Sequence, residues 1–212
     1  MTADLFAPPA DVLDAPPGQL RVTVWFLEMD VSHRRRSGAG AWEVDGVSVV
    51  RVPTPPVHFY RYLFDTVGAP WLWYGRRKLD DAQLRAHLDD PGTELHVPYI
   101  DGVPAGIVEL DRRKAPVWDL AYFGLIPEAI GRGLGPRLLT FAAGRALAEG
   151  ASTLTVNTCS LDHPKALATY RKAGFRVVRR VERVEPDPRA IGYLPMTAGP
   201  HIPFRSGPSR PG

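Results

Sequence analysis

The run Gly131-Arg132-Gly133-Leu134-Gly135 constrains this 212-residue chain more than any other stretch, because it joins an apolar segment to a helical one. Upstream lies VWDLAYFGL, residues 117–125, rich in aromatic and branched side chains. Downstream, Leu139, Ala142, Ala143, Ala146 and Leu147 recur on one face at helical spacing. Closely spaced glycines let backbone N–H groups turn inward, and the start of a helix adds partial positive charge. A strand, glycine loop and helix in that order form an anion cradle suited to a pyrophosphate. Pro136 lacks an N–H, but the first helical turn tolerates proline. A dinucleotide-binding G-x-G-x-x-G would need its third glycine at 136, and a Walker loop would need a Gly-Lys-Ser/Thr that is absent here. On the loop alone, a plain glycine-rich turn stays open.

The surrounding pattern is α+β. Strands are expected over residues 21–29, 43–52, 93–100, 103–111, 117–125, 153–157 and 175–183, with a last short one over 190–194. Asp101-Gly102 is a hairpin signal between two of them. Pro55-Pro56 opens an amphipathic helix over 57–67 that Gly68 closes as C-cap. Asp80 with Gln83 forms a capping box for a short helix to about Leu88. Pro164 opens a helix over 164–173, and Gly174 stops it. The run Arg34-Arg35-Arg36 reads as a solvated loop.

The chain has 22 prolines and 20 glycines, and their clustering locates the ends. Residues 1–18 and 198–212 are expected to be disordered tails around a single domain at 19–197, since neither has a periodic apolar face to dock. One cysteine, Cys159, excludes an internal disulfide framework. It also lacks a matched His/Asp pattern and reads as a small semi-buried side chain. The six histidines show no ligand spacing, so no metal is expected. No apolar stretch approaches the ~20 residues of a membrane span, and no membrane partner is expected. The N-terminus has no basic start or apolar core of a secretory signal, so a reduced, cytoplasmic setting is expected. A net charge of +3, interspersed with acids, gives no reason to expect nucleic-acid binding.

Some forty residues past the loop stands ALATYRKAGF, residues 166–175. A glycine loop after a strand, followed by A-x-x-x-Y-x-K-x-G-F, resembles the GCN5-related N-acetyltransferase (GNAT) superfamily over roughly residues 95–185. Two positions depart from the family pattern. The leading Gln/Arg of the loop is Ile130, with Arg132 or Arg137 as compensating cations, and the usual Asn seven residues before the tyrosine is His163. His163 either meets pantetheine through a ring nitrogen or caps the helix.

The resemblance implies a mixed, mostly antiparallel sheet flanked by helices, with splayed central strands and acetyl-CoA in the gap. Phe123 and Leu125 would pair with the pantetheine amides, and residues 131–135, with Leu134 among them, would hold the pyrophosphate. A primary amine would attack the acetyl carbon directly, so catalysis rests on positioning and proton transfer. Tyr170, on one helical face with Ala166 and Ala173, would protonate the departing thiolate. For the base, Glu109, Asp111 and Asp119 all stand as candidates. Glu28 and Tyr122 are candidates for holding the amine, and Trp71, Trp73 and Tyr74 for the acceptor wall. A non-catalytic acyl-CoA-binding module of the same fold is the rival reading. Homodimers are common in such families, but nothing in the sequence fixes an interface.

Overall fold

The structure, a computed structural model, describes residues 12, 14–32, 42–44 and 46–206. Nine strands form one sheet: β1 (Gln19–Asp30), β2 (Trp42–Val44), β3 (Val47–Val52), β4 (Thr93–Ile100), β5 (Val103–Pro104), β6 (Gly106–Asp111), β7 (Val117–Leu125), β8 (Thr153–Cys159) and β9 (Arg176–Pro186). The order is β2-β3-β4-β6-β7-β8-β1-β9, with β5 pairing β4. All pairings are antiparallel except β7 with β8. Among the described residues four helices cover it: α1 (Val57–Gly68), α2 (Asp81–Asp89), α3 (Leu134–Ala148) and α4 (Ala166–Ala173). This is the α+β architecture expected from the sequence. Among the described residues no helix is long and apolar enough to cross a membrane.

Burial of both sheet faces explains the layering. On β6, Val108 and Leu110 face the core under α3, while Ile107 faces the core under α1 and α2. Leu138, Leu139, Ala142, Ala143 and Ala146 supply the α3 side of the first core. Tyr60, Leu63, Phe64, Val67, Leu84 and Leu88 supply the helical side of the second. Every one of these side chains is almost fully enclosed. Burial on that scale favours the fold by roughly 1.5–3 kcal/mol for each large apolar side chain.

Local signals hold in part. Asp80 accepts from the Gln83 backbone and Gln83 reaches back to the Asp80 N–H, which completes the capping box. Asp101 and Gly102 both have positive φ, as a two-residue hairpin turn needs. Five details differ from expectation. Gly68 does not cap α1: it stays right-handed inside the helix, and the chain runs into a tight turn at Ala69–Trp71 that ends with Leu72 left-handed. Residues 43–52 divide into β2 and β3 around Gly46, and residues 103–111 divide at Ala105, whose N–H returns to the Pro98 carbonyl. Residues 190–194 form turns, not a strand, because the Pro188 carbonyl accepts both the Tyr193 and Leu194 N–H groups. The helix expected from Pro164 begins at Ala166. The Arg34-Arg35-Arg36 run lies outside the described residues.

The described parts of the two ends are docked rather than loose. Val12, Ala198 and Ile202 sit in a third core with Leu20, Val22 and Leu72. The clamp is Arg189, paired with Asp187 while both are nearly sealed from solvent. The Arg189 guanidinium also donates to the Ala198 and Ile202 carbonyls, at 3.2 and 2.8 Å. Composition hid this, since a buried arginine reads as a surface charge in sequence. Removing one partner of such a pair leaves the other buried and uncompensated. Arg189→Ala is therefore expected to lower unfolding stability by about 3–5 kcal/mol in urea titration. An unchanged midpoint would show that the C-terminal segment is held by something else.

Candidate active site

β7 and β8 pair only at Val117 with Thr153, Trp118 with Leu154 and Asp119 with Thr155. Beyond that they part, and a cavity of about 920 Å³ opens between them. Its walls are the unpaired half of β7, including Phe123 and Leu125, the end of β8, the loop after β7, and the first turns of α4. The unpaired β7 edge presents backbone donors and acceptors to whatever extended molecule enters.

The loop closes one end of that cavity. A tight turn at Pro127–Ala129 leads to extended Ile130, then Gly131 and Gly133 take left-handed φ of 84° and 74°. Any other L-residue pays roughly 1–2 kcal/mol there. A Cβ built on Gly131, Gly133 or Gly135 meets nothing within 4 Å, so open space lies over the loop. Gly133 caps α3 without a side-chain hydrogen bond. The first-turn N–H groups of Leu134 and Gly135 thus have no intrahelical acceptor. Ile130, Gly131, Gly133, Leu134 and Gly135 all line the cavity, whereas Arg132 and Arg137 are exposed and do not.

Tyr170 projects from α4 against Phe123, at 6.1 Å between ring centroids, and edge-on to Phe175 at 5.7 Å. It lines the cavity, and burial, reinforced by the Asp162 charge, pushes its phenol pKa far above the ordinary tyrosine value. The group is a neutral donor at any working pH. His163 lines the cavity, and its Nδ1 accepts the Lys165 N–H at 3.1 Å in the turn into α4. Burial pushes the Cys159 thiol pKa up, so this cavity-lining sulfur stays protonated.

The model of the Acetyltransferase (GNAT) family matches residues 58–175, more than half of the chain. The chain belongs to the GNAT acetyltransferase family. Solved structures share the fold. A GCN5-related N-acetyltransferase from Sphaerobacter thermophilus matches with a TM-score of 0.57 and 19% identity, covering 77% of this chain and 51% of that one. One from Kribbella flavida gives 0.55 and 16% identity, covering 82% and 63%. An aminoglycoside acetyltransferase from an uncultured soil metagenomic sample gives 0.51 and 15%, covering 60% and 87%. At such identities these likenesses speak for the fold alone. This chain spans about half the length of the Sphaerobacter protein. No curated protein matches it.

Within this GNAT domain the expected carboxylates are elsewhere. Glu109 is fully enclosed on the α1/α2 side of β6, where Tyr60 and Arg76 donate to it and His87 Nε2 lies 3.1 Å away. Asp119 stands where β7 and β8 are still paired, its carboxylate taken by the Thr155 hydroxyl at 2.6 Å. Burial raises the Asp119 pKa, with the Thr155 hydrogen bond opposing. Neither is among the residues that line the cavity. Asp111 is ion-paired with Arg113, and Glu28 with Arg176 at the sheet surface, so Glu28 is not at the acceptor wall either. Trp71, Trp73, Tyr74 and Tyr122 do line the cavity. The carboxylates lining it among the described residues are Asp162 and Glu185, which local sequence patterns did not single out. Among the described residues no cluster of His, Cys, Asp and Glu could hold a metal.

Glu109 instead ties β6 to α1, α2 and the Gly75–Lys78 turn, and Arg76 in turn lies over the Tyr122 ring at 4.9 Å. Burial alone would raise its pKa, but the His87 hydrogen bond, the Arg76 charge and the Tyr60 hydroxyl outweigh it and hold it below the usual range. The unfolded chain then binds more protons, so this stabilisation is present above the ordinary glutamate value of about 4.3 and is lost as pH falls below it. Stability measured by denaturant titration should drop with acid through that window, and Glu109→Gln should flatten the slope. A Gln variant with the wild-type slope would remove Glu109 from the acid response.

Proposed function

We propose that this protein is an N-acetyltransferase that moves the acetyl group of acetyl-CoA to a primary amine by direct attack on the thioester. The observation that carries the reading is the coincidence, in one cavity, of an unpaired strand edge, a glycine loop at a helix N-terminus and a buried tyrosine hydroxyl. The open space over Gly131, Gly133 and Gly135 fits a pyrophosphate, which backbone N–H groups can approach only where no side chain intervenes. Acetyl-CoA supplies the activated acetyl group.

The chain's own residues do the rest. The free β7 edge at Phe123 and Leu125 pairs with the pantetheine amides, and a backbone N–H near Leu125 stabilises the oxyanion as it develops. Tyr170 donates its proton to the sulfur as the C–S bond breaks. Its raised pKa suits that role at the start, since the phenol is never lost to ionisation. Trp71, Trp73, Tyr74 and Tyr122 form the wall against which the amine's apolar body packs.

Two measurements test this reading. CoA binds only the folded state and should raise the melting temperature by mass action. Gly133→Asp, which sets a carboxylate beside the phosphates, should abolish that shift, and a wild-type protein that millimolar CoA leaves unshifted would count against donor binding. Tyr170→Phe keeps the ring contacts with Phe123 and Phe175 and removes only the hydroxyl. Its kcat should fall by ~10²-fold or more, with CoA affinity and melting temperature little changed. Wild-type turnover in the Phe variant rules out the acid role, and CoA binding without turnover of any amine by wild type favours a non-catalytic binding module.

A further inference from the structure

Asp162 lies in the turn between β8 and α4, and its carboxylate lines the cavity. Oδ1 accepts the Trp73 indole N–H at 3.0 Å. Oδ2 accepts the Thr158 hydroxyl at 2.9 Å and the Cys159 backbone N–H at 2.8 Å. A carboxylate has about four lone-pair sites. The Cys159 thiol also interacts with the carboxylate, and Oδ1 itself takes a single hydrogen bond, from Trp73. The salt bridges among the described residues do not include Asp162, although Lys78, Lys165 and Arg183 line the same cavity. That charge reaches Tyr122 on β7 and Tyr170 on α4.

Glu185 does not compete for the same role. It is tied to Arg183 at 2.6 Å and stands opposite Leu20 on β1. Val24, four residues along β1, pairs with Cys159 at the end of β8. At ~3.3 Å per residue, Glu185 is about 13 Å farther out than that end. Asp162, three residues beyond β8 and within electrostatic reach of Tyr170, is beside the place where sulfur and amine must meet.

Resting on the acetyl-transfer reading, we infer that Asp162 receives the acceptor: its Oδ1 binds the ammonium of an alkyl- or arylalkylamine and takes the proton that must leave before attack. The Trp73 and Tyr122 rings beside it supply the apolar surface for the amine's body. The ammonium gives one proton to Asp162, and the freed nitrogen lone pair forms the C–N bond while the C–S bond breaks. The sulfur takes a proton from Tyr170, and the second proton shed by the new amide nitrogen restores the phenol. The Asp162 proton passes to solvent, so the products are amide, thiol and one proton.

The experiment compares the full-length wild type with Asp162→Asn. CoA affinity is measured by calorimetry, and turnover by thiol release, with butylamine and 2-phenylethylamine as probes. The variant should bind CoA within about twofold of wild type, while kcat/KM for the amines falls ~10–100-fold with a raised amine KM, the scale of one lost charge-assisted hydrogen bond. A purely structural carboxylate would move both substrates or neither. A second measurement avoids the variant altogether, should it not fold. CoA-loaded wild type should bind 2-phenylethylamine at least ~10-fold more tightly than neutral 2-phenylethanol. Equal binding of the two, wild-type amine kinetics in the Asn variant, or a CoA-binding wild type that neither binds nor acetylates the probe amines each overturns the inference. Failure of wild type to bind CoA overturns the acetyl-transfer reading itself, and this assignment with it.

Discussion

β7 and β8 stay together for three residues and then part. β6 holds β7 along nearly its whole length, and β1 holds β8 throughout. Each strand thus keeps its ladder on the outer edge while the two facing edges separate. The gap therefore costs the fold no buried apolar layer. The α3 core continues beneath it through Leu120, Val156 and Tyr170. What the gap leaves exposed is backbone, and exposed backbone is what a molecule rich in amides can pair with.

Charge is handled differently beneath the helices and in the cavity. Glu109 and Glu94 are sealed carboxylates, each held by arginine and histidine partners. Burial of an unpaired carboxylate would be prohibitive, so these cages fix where their helices sit: Glu109 fixes α2 and the Gly75–Lys78 turn, and Glu94 fixes α3 through Arg145. Asp162 is the opposite case. It is hydrogen-bonded only to neutral groups, and its charge faces the cavity. Glu109 and Glu94 are thus neutralised by cations of the protein, and Asp162 is not ion-paired.

Much of the fold was legible because its signals are local. The glycine loop, the capping box at Asp80, the Asp101-Gly102 turn and the apolar face of α3 each depend on residues within a few positions of one another. Tyr170 was legible for the same reason, being part of one compact motif. What failed depends on distant partners. Glu109 resembled a surface strand carboxylate until α1 and α2 closed over it, since Tyr60 is 49 residues away and Arg76 is 33. Asp162 resembled a turn residue before His163-Pro164, and its role emerges only from Trp73, 89 residues earlier. The docking of residues 198–202 likewise rests on the sealed Arg189, whose partners composition could not supply.

Amide hydrogen exchange with and without CoA tests most directly whether the parted strands and the glycine loop together form the donor site. Protection should appear at residues 120–125 of β7 and at 131–135 of the loop, while β3, away from the cavity, exchanges as before. Protection spread evenly over the sheet, or absent from both of those segments while CoA is bound, contradicts the assignment.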